Sequence, residues 1–461
     1  MKKLLALILA LVMVLSLAAC GGSGTVESTD APAVEDPVVN EPETPVADDT
    51  PVEENNDPFY IWAWNTDFVT ILEQVLPNYL SEAEIARIQF VNVGDSGIYQ
   101  EKIDAILADP TNEEYPDLML LEVGYVQKYV QSGYLLDVAS LGITADDMAN
   151  MYDYNLSLGT DAATGSTYAL FWQATPGSWQ IRADLAEKYL GTTDPAELQD
   201  MLDTWEEVVS VSEAVNAASG GKVKLLSGAD DLKYVFCNGA RTSAWYDSND
   251  VITIDPAVED YLELAADLNG LTFDVGMWST EWATLKDGDG DATEAAIAFT
   301  GCPWYSYWCL TDTWVGNTIL IQGPQAFYWG GTGLAATVEC ADTDLAYKIL
   351  HTVTCNSEAM IAINSANGDY VNNTEAIAYI QENGSGTTST FCCYNDQDIV
   401  GFYAEKCDGI NVLAVGEDQI ICENLLPTIV DAYESGSVDL ETAIANLKAS
   451  IHDTYSYLKV E

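Results

Sequence analysis

The sequence is short of positive charge and nearly without histidine. Against 73 Asp and Glu it carries 16 Lys and Arg and 2 His, a formal net charge of −57 over 461 residues. Phosphate backbones repel such a polyanion, which excludes nucleic acid as a partner. Anionic membrane surfaces are disfavoured on the same ground. His351 and His452 leave little material for His-based catalysis or metal sites. There is no CxxC motif, no internal repeat, and no membrane-spanning apolar run after residue 20. The expectation is therefore no metal and no cofactor. What is present is apolar and aromatic. Hydrophobic residues make up 48% of the chain, too many for wholesale disorder, and the length suits two or three domains. The 12 Trp and 25 Tyr supply many flat faces on which a neutral solute could rest.

Residues 1–20 have a positive start at Lys2 and Lys3, an apolar stretch from Leu4 to Leu17, and the small pair Ala18-Ala19 before Cys20. That is the layout of a secretory signal rather than a membrane span. Leu17-Ala18-Ala19-Cys20 also resembles a bacterial lipobox, which implies a lipidated Cys20 as the mature N-terminus. Two acyl chains on that residue would hold the protein at a membrane without spanning it. Residues 21–57 contain eleven acids, no Lys or Arg, and prolines at 32, 37, 42, 45 and 51. Such a segment cannot bury a core and reads as an extended, acidic, disordered tether. Cys237, Cys302, Cys309, Cys340, Cys355, Cys392, Cys393, Cys407 and Cys422 lie beyond it. An odd number cannot all pair within one chain, and most are expected to be small buried thiols.

From Phe59 onward, short β-rich runs alternate with amphipathic helical stretches. Strands are expected at Phe59–Trp64, Ile88–Val93 and Asp117–Leu121. Helices are expected at Asp67–Tyr79 and Ser96–Ala108, with another from Tyr125. Leu198–Ala217 reads as one long helix and Ile254–Leu268 as another; Ala295–Phe299 reads as a strand. The chain from Leu345 is mostly helical. Alternation of this kind predicts an α/β fold of parallel sheets covered by helices, with ligands at the carboxyl ends of the strands.

Several segments resemble, in order, extracellular solute-binding proteins of ABC importers, in the carbohydrate-binding group related to maltose-binding protein. Tyr115-Pro116-Asp117-Leu118 followed by Gln131-Ser132-Gly133-Tyr134-Leu135-Leu136-Asp137 resembles that family's third strand and the close of its next helix. Tyr168-Ala169-Leu170, Pro176-Gly177 and Arg182-Ala183-Asp184-Leu185 resemble its crossover into a second lobe. Ala295-Ala296-Ile297-Ala298 with Gly301-Cys302-Pro303-Trp304, and Tyr328-Trp329-Gly330-Gly331-Thr332, resemble a strand of that lobe and the return crossover. The resemblance implies a two-lobed, type II periplasmic-binding-protein-like fold with a hinge. Lobe 1 would be 59–168 plus 332–380, and lobe 2 would be 169–331 plus 381–461. Ligand would bind in the cleft, and hinge closure would bury it.

A sugar presents C–H patches on its ring faces and hydroxyls round its edge. Aromatic rings cover the first, and Asp, Glu, Asn and Gln bond the second. Trp304 matches the position of the family's stacking tryptophan, with Tyr305, Tyr307 and Trp308 around it. Trp64, Asn65 and Asp67 follow the first strand; Glu122 and Tyr125 follow the third. Trp172 and Gln173 sit at the outward crossover, and Trp329, Gly330 and Gly331 at the return. Trp62 and Trp64 share a strand face, and only the one nearer the strand end should see the cleft. Core packing is the alternative for Trp62, Trp64, Trp172, Trp304 and Trp329, and a solvated loop is the alternative for Glu122 and Tyr125. Arg182 could pair with a ligand or with a neighbouring carboxylate. The loop after strand one lacks the Lys of maltose-type relatives, so the identity of the sugar does not transfer.

Other motifs carry less. Gly94-Asp95-Ser96-Gly97 matches a serine-protease signature, but both His follow Ser96, the wrong chain order; Ser96 reads as a helix N-cap. Gly331-Thr332-Gly333-Leu334-Ala335-Ala336 fits a dinucleotide fingerprint without the strand-to-helix context it needs. Asp287, Asp289 and Asp291 start like a calcium loop, but Ala292 and Ala298 stand at its sixth and twelfth positions, so an exposed turn is expected.

The functional expectation is a non-catalytic receptor, lipid-anchored on the outer, extracellular face of the bacterial cytoplasmic membrane. It would be a monomer that delivers a sugar or oligosaccharide to ABC transporter permease subunits. The alternatives are a receptor for a polyamine or peptide, which could exploit the acidity, and a surface glycoside hydrolase working through a carboxylate pair.

Overall fold

The computed structural model describes residues 55–94, 96–384 and 393–460. The signal segment, Cys20 and nearly all of the tether lie outside the described residues, as do Cys392 and the side chains of Ser96 and Tyr307.

Aromatic and β-branched runs build the first sheet. Strands β1 (Phe59–Ala63), β2 (Ile88–Asn92) and β3 (Leu118–Glu122) pair in parallel, in the order β2-β1-β3. The helix Thr66–Val75 follows β1, capped where Asn65 Oδ1 accepts from the N–H of Asp67 at 2.7 Å. It buries Val69, Ile71, Leu72 and Val75. The helix after β2 begins at Ser96, which is therefore its first residue rather than its cap.

The chain leaves through β4 (Leu170–Phe171) and builds β5 (Ser178–Arg182) in a second region. There β6 (Val223–Lys224) and β7 (Ala295–Ala296) form a short parallel pair. Strands β8 (Ala298–Gly301) and β9 (Thr318–Ile321) flank β5, both antiparallel. The return strand β10 (Thr332–Ala336) enters the first sheet antiparallel, between β3 and β4. The all-parallel expectation thus holds only for β2-β1-β3 and the short β6-β7 pair. A chain coming back from a second core reaches the first sheet from the opposite end. The dinucleotide-like segment 331–336 proves to be mostly this strand and opens no helix.

Two separate hydrophobic cores result. The first takes residues from Phe59 to Ala174 and from Leu334 to Cys407, together with Leu320 and Tyr328; the second takes its other residues from Trp179 to Trp329 and from Ile421 to Leu458. The chain passes between them at 172–178, 328–331 and 408–420. The helix Ile399–Cys407 buries Ile399, Val400, Tyr403 and Cys407 in the first core, although the expected second lobe takes in everything from 381. Gln381 Nε2 donates to Asp398 Oδ2 at 3.0 Å, and the Tyr403 ring lies 5.7 Å from that of Tyr370, which ties this helix to the first core.

The expected long helix 198–217 is two helices, Pro195–Met201 and Trp205–Ser219. Thr204 breaks it with a capping box: its hydroxyl accepts from the Glu207 N–H, and the Glu207 carboxylate accepts from the Thr204 N–H. Arg182 is buried and grips Asp184 through two nitrogens, at 2.9 and 2.7 Å, so its charge is spent on a neighbouring carboxylate. Asp289 accepts from the backbone of Asp291, Ala292 and Thr293, which makes 287–293 a self-bonded turn.

Candidate ligand-binding site

A cavity of about 810 Å³ opens where the two cores meet. The first core contributes Trp64, Asn65, Thr66, Asp67, Phe68, Ile71, Gly94, Glu122, Gln173, Thr332 and Asn367. The second contributes Trp304 and Trp308, and the return crossing adds Gly330 and Gly331. These positions lie largely at the carboxyl ends of strands, where open α/β sheets place ligands.

Each wall has a local cause. β1 ends at Ala63, so Trp62 turns inward and donates its indole N–H to the Glu114 carbonyl at 2.8 Å, whereas Trp64 stays half-buried at the cavity. The Trp64 ring meets Phe68 and Tyr99 edge-on, each at 5.3 Å, which fixes its face. β8 runs into the helix Pro303–Trp308, whose first-turn proline sets the bend that presents Trp304 and Trp308. Trp304 Nε1 donates to the Trp329 carbonyl at 3.1 Å, tying the second-core aromatic to the return crossing. Gln173 spans the junction: its Nε2 donates to Asp369 at 2.7 Å and its Oε1 accepts from the Thr332 N–H at 2.8 Å.

Glycine is required at the return crossing. Gly330 has φ of 68°, and a Cβ there would stand 3.0 Å from Trp304 Nε1 and 3.3 Å from Glu122 Oε1. A side chain would crowd both groups, which stand side by side against Gly330 at the cavity wall.

Glu122 is the electrostatic feature of the site. It closes β3, and its Oε2 accepts from the Gly124 N–H at 2.7 Å. Burial pushes its carboxyl up to about 8, the Glu423 carboxylate adds to that, and the Gly124 bond opposes it. Some of its surface still opens to the cavity. At neutral pH it is mostly a neutral acid, able to donate as well as accept. Among the described residues no Lys or Arg lines the cavity. The other acid, Asp67, sits exposed at the mouth.

Of the residues singled out from the sequence, Trp64, Asn65, Asp67, Glu122, Gln173, Trp304, Gly330 and Gly331 come together here. Tyr125, Trp172, Tyr305 and Trp329 do not line the cavity, and each is explained by packing. Tyr125 lies in the first core behind Trp64, at 6.3 Å. Trp172 is fully buried and donates to Asp369 Oδ2 at 3.0 Å. Tyr305 is fully buried edge-on to Trp282, its hydroxyl without a hydrogen-bond partner among the described residues. Trp329 stacks on Tyr234 at 4.7 Å, inside the second core. Trp308, expected beside Trp304, also lines it, and Thr66, Phe68, Ile71, Gly94, Thr332 and Asn367 complete the lining without having been expected there. Phe68 and Ile71 carry the helix periodicity and read as core; Asn367 belongs to a helix far along the chain, and no sequence signal ties it to the cleft.

Comparison with known proteins places this architecture. A structure titled extracellular solute-binding protein family 1 superposes with a TM-score of 0.68 at 15% identity, covering 85% of this chain and 98% of the other. Its fold is that of the extracellular solute-binding proteins. The sugar-binding protein MalE of Xanthomonas citri gives a TM-score of 0.66 at 13% identity, over 86% of this chain and 96% of its own. The galacto-N-biose/lacto-N-biose I-binding protein of a Bifidobacterium longum ABC transporter, solved with lacto-N-biose, gives 0.64 at 15% identity, over 88% and 98%. By sequence, a lactose-binding protein of Rhizobium radiobacter is 23% identical over 282 residues, 59% of this chain; the match spans 60% of that relative's length. No family model matches the sequence. Among the described residues no helix is long and apolar enough to cross a membrane.

Proposed function

We propose that this protein is an exported receptor that binds a carbohydrate between its two cores and delivers it to the permease of an ABC importer, without catalysing a reaction. The observation that carries this reading is the composition of the cavity. Trp64, Phe68, Trp304 and Trp308 offer aromatic faces, while Asn65, Gln173, Asn367 and a mostly protonated Glu122 offer hydrogen bonds, with no cation among them. That set matches a neutral, hydroxyl-rich ligand and disfavours an anion. It also disfavours a polyamine, because the deeper of the two lining acids carries little charge at neutral pH. The sugar-binding structural relatives and the lactose-binding relative support the same reading. On this reading the two cores are the lobes, the three crossings between them form the hinge, the protein acts as a monomer, and Cys20 anchors it outside the cell through lipid.

The test is a thermal-shift screen of the mature protein against galactose-, glucose- and mannose-containing mono- and oligosaccharides, peptides and polyamines. A cognate ligand at roughly 100 times its Kd stabilises by about 2.7 kcal/mol. Sugar-specific shifts are expected. Shifts with polyamines or peptides alone would overturn the reading, and hydrolysis products from a bound oligosaccharide would overturn its non-catalytic part.

A further inference from the structure

Beyond the cavity wall stands a tryptophan in an unusual state. Trp278 has φ of 70°, a left-handed conformation that bulky residues avoid, and it is 47% exposed. Both conditions are unfavourable for a tryptophan, and only its contacts with Trp282 at 5.3 Å and Trp329 at 5.8 Å offset the strain. The loop around it imposes the conformation. On one side the Met277 N–H donates to Asp230 Oδ2 at 2.8 Å. On the other, Ser279 caps the helix Thr280–Asp287 by accepting from the Trp282 N–H at 3.1 Å. The Trp282 indole is itself pinned to Asp231 Oδ1 at 2.9 Å. Strain held so firmly from both flanks belongs to sites where a side chain must be presented in one place.

What Trp278 is presented to is the mouth of the cavity. Its ring is nearly parallel to that of Trp304, 13° apart with centroids at 6.5 Å, and lies 6.1 Å from Trp308. Trp304 and Trp308 line the cavity, and Trp308 is 63% exposed. The aromatic surface therefore runs without a break from the cavity outward across Trp304, Trp308 and Trp278.

We infer that Trp278 and Trp308 form an outer subsite continuous with the cavity, which takes the part of an oligosaccharide that projects past Trp304. This rests on the carbohydrate reading above and narrows it: the ligand is an oligosaccharide, and the residues that select its length are Trp278 and Trp308. The occupant follows from the continuity, since whatever lies on Trp304 and continues outward must cross these two faces. Stacking on an aromatic face needs no charge, which suits the cation-free cavity.

The test is titration calorimetry of the full mature chain with galacto-, gluco- and manno-oligosaccharides from mono- to pentasaccharide, for the wild type and Trp278→Gly. Glycine adopts the left-handed backbone freely, which offsets part of the packing lost against Trp282 and Trp329, so the variant retains its fold with an apo melting temperature at or somewhat below that of the wild type. The wild type is expected to gain tenfold or more in affinity as the saccharide lengthens, and Trp278→Gly to lose most of that gain. A wild-type affinity independent of length, or a loss in the variant that is equal at every length, would overturn the outer subsite while leaving a sugar receptor. So would a variant indistinguishable from wild type. No binding of any saccharide would overturn the carbohydrate reading and the subsite together.

Discussion

Trp304 and Glu122 both stand against Gly330 at the cavity wall and make different demands on the apo protein. Trp304 is half-buried and anchored by one indole hydrogen bond to the return crossing. Trp304→Ala should therefore cost the apo protein about 1–2 kcal/mol, below the roughly 3–5 kcal/mol of a buried Trp→Ala change. Ligand-induced stabilisation should vanish in a thermal-shift assay; a chain that no longer folds would place Trp304 in the core. Glu122 acts through its proton. Its carboxyl titrates near 8 when folded, against the ordinary carboxylate range when unfolded. Between those values the folded state holds a proton that the unfolded state has released, so this group makes stability fall as pH rises through that window. Below about 4.5 both states are protonated and the penalty is absent; above about 8 it is fully present. Glu122→Gln removes it. The variant should melt at nearly the wild-type temperature at pH 4.5 and gain on the order of 1–3 kcal/mol by pH 8, water in the open cleft screening the rest. A stability difference between the two proteins that does not change with pH would show that Glu122 does not hold this proton. At this scale the sequence told most about residues just past strand ends, where Trp64, Asn65 and Glu122 lie. It told least about aromatics such as Trp172, Tyr305 and Trp329, because a ring that stacks on a ligand and one that stacks on a neighbour share one composition.

The elements were legible where periodicity and caps agreed. β1, β2 and β3 sit within a residue of their expected ends, and the helix expected over Ile254–Leu268 runs from Pro256 to Leu268 behind an Asp255 cap. Leu198–Ala217 was misjudged because its apolar spacing continues through Leu202 and Val208, although Thr204 and Glu207 form a readable start signal in its middle. Thr204→Ala should leave the N-terminal N–H groups of Trp205–Ser219 without their side-chain acceptor and lower stability by about 1 kcal/mol, measured as a shift of the urea midpoint at unchanged slope. A shift within error would mean that water caps this helix equally well. Strand direction lay beyond the sequence for a different reason. Whether β10 enters parallel or antiparallel depends on which end of the sheet the return crossing reaches, and that is set by a second core some hundred and fifty residues long.

For the whole molecule, the two cores and the charge matter together. The outward and return crossings are paired: Gly177 N–H donates to the Phe327 carbonyl at 2.7 Å, Trp329 N–H donates to the Thr175 carbonyl at 3.2 Å, and Pro176 bridges Tyr328. Two strands bound in this way can bend as one strap, a reasonable build for a hinge between lobes. Of the 73 acids and 16 bases, eleven acids belong to residues 21–57 and two bases to Lys2 and Lys3, so the body carries 62 acids against 14 bases. Self-repulsion of that size destabilises the compact state and is screened by salt, so the apo melting temperature should rise between low ionic strength and about 0.5 M NaCl. The ligand separates the readings further. A neutral saccharide held by aromatic faces and amides brings no charge to the cleft, so its Kd should be nearly flat over the same salt range. A polyamine drawn by the acidic surface would weaken steeply with added salt. A strong salt dependence of affinity, measured by calorimetry alongside the melting curves, would move the acidity from a property of the surface to a determinant of the ligand.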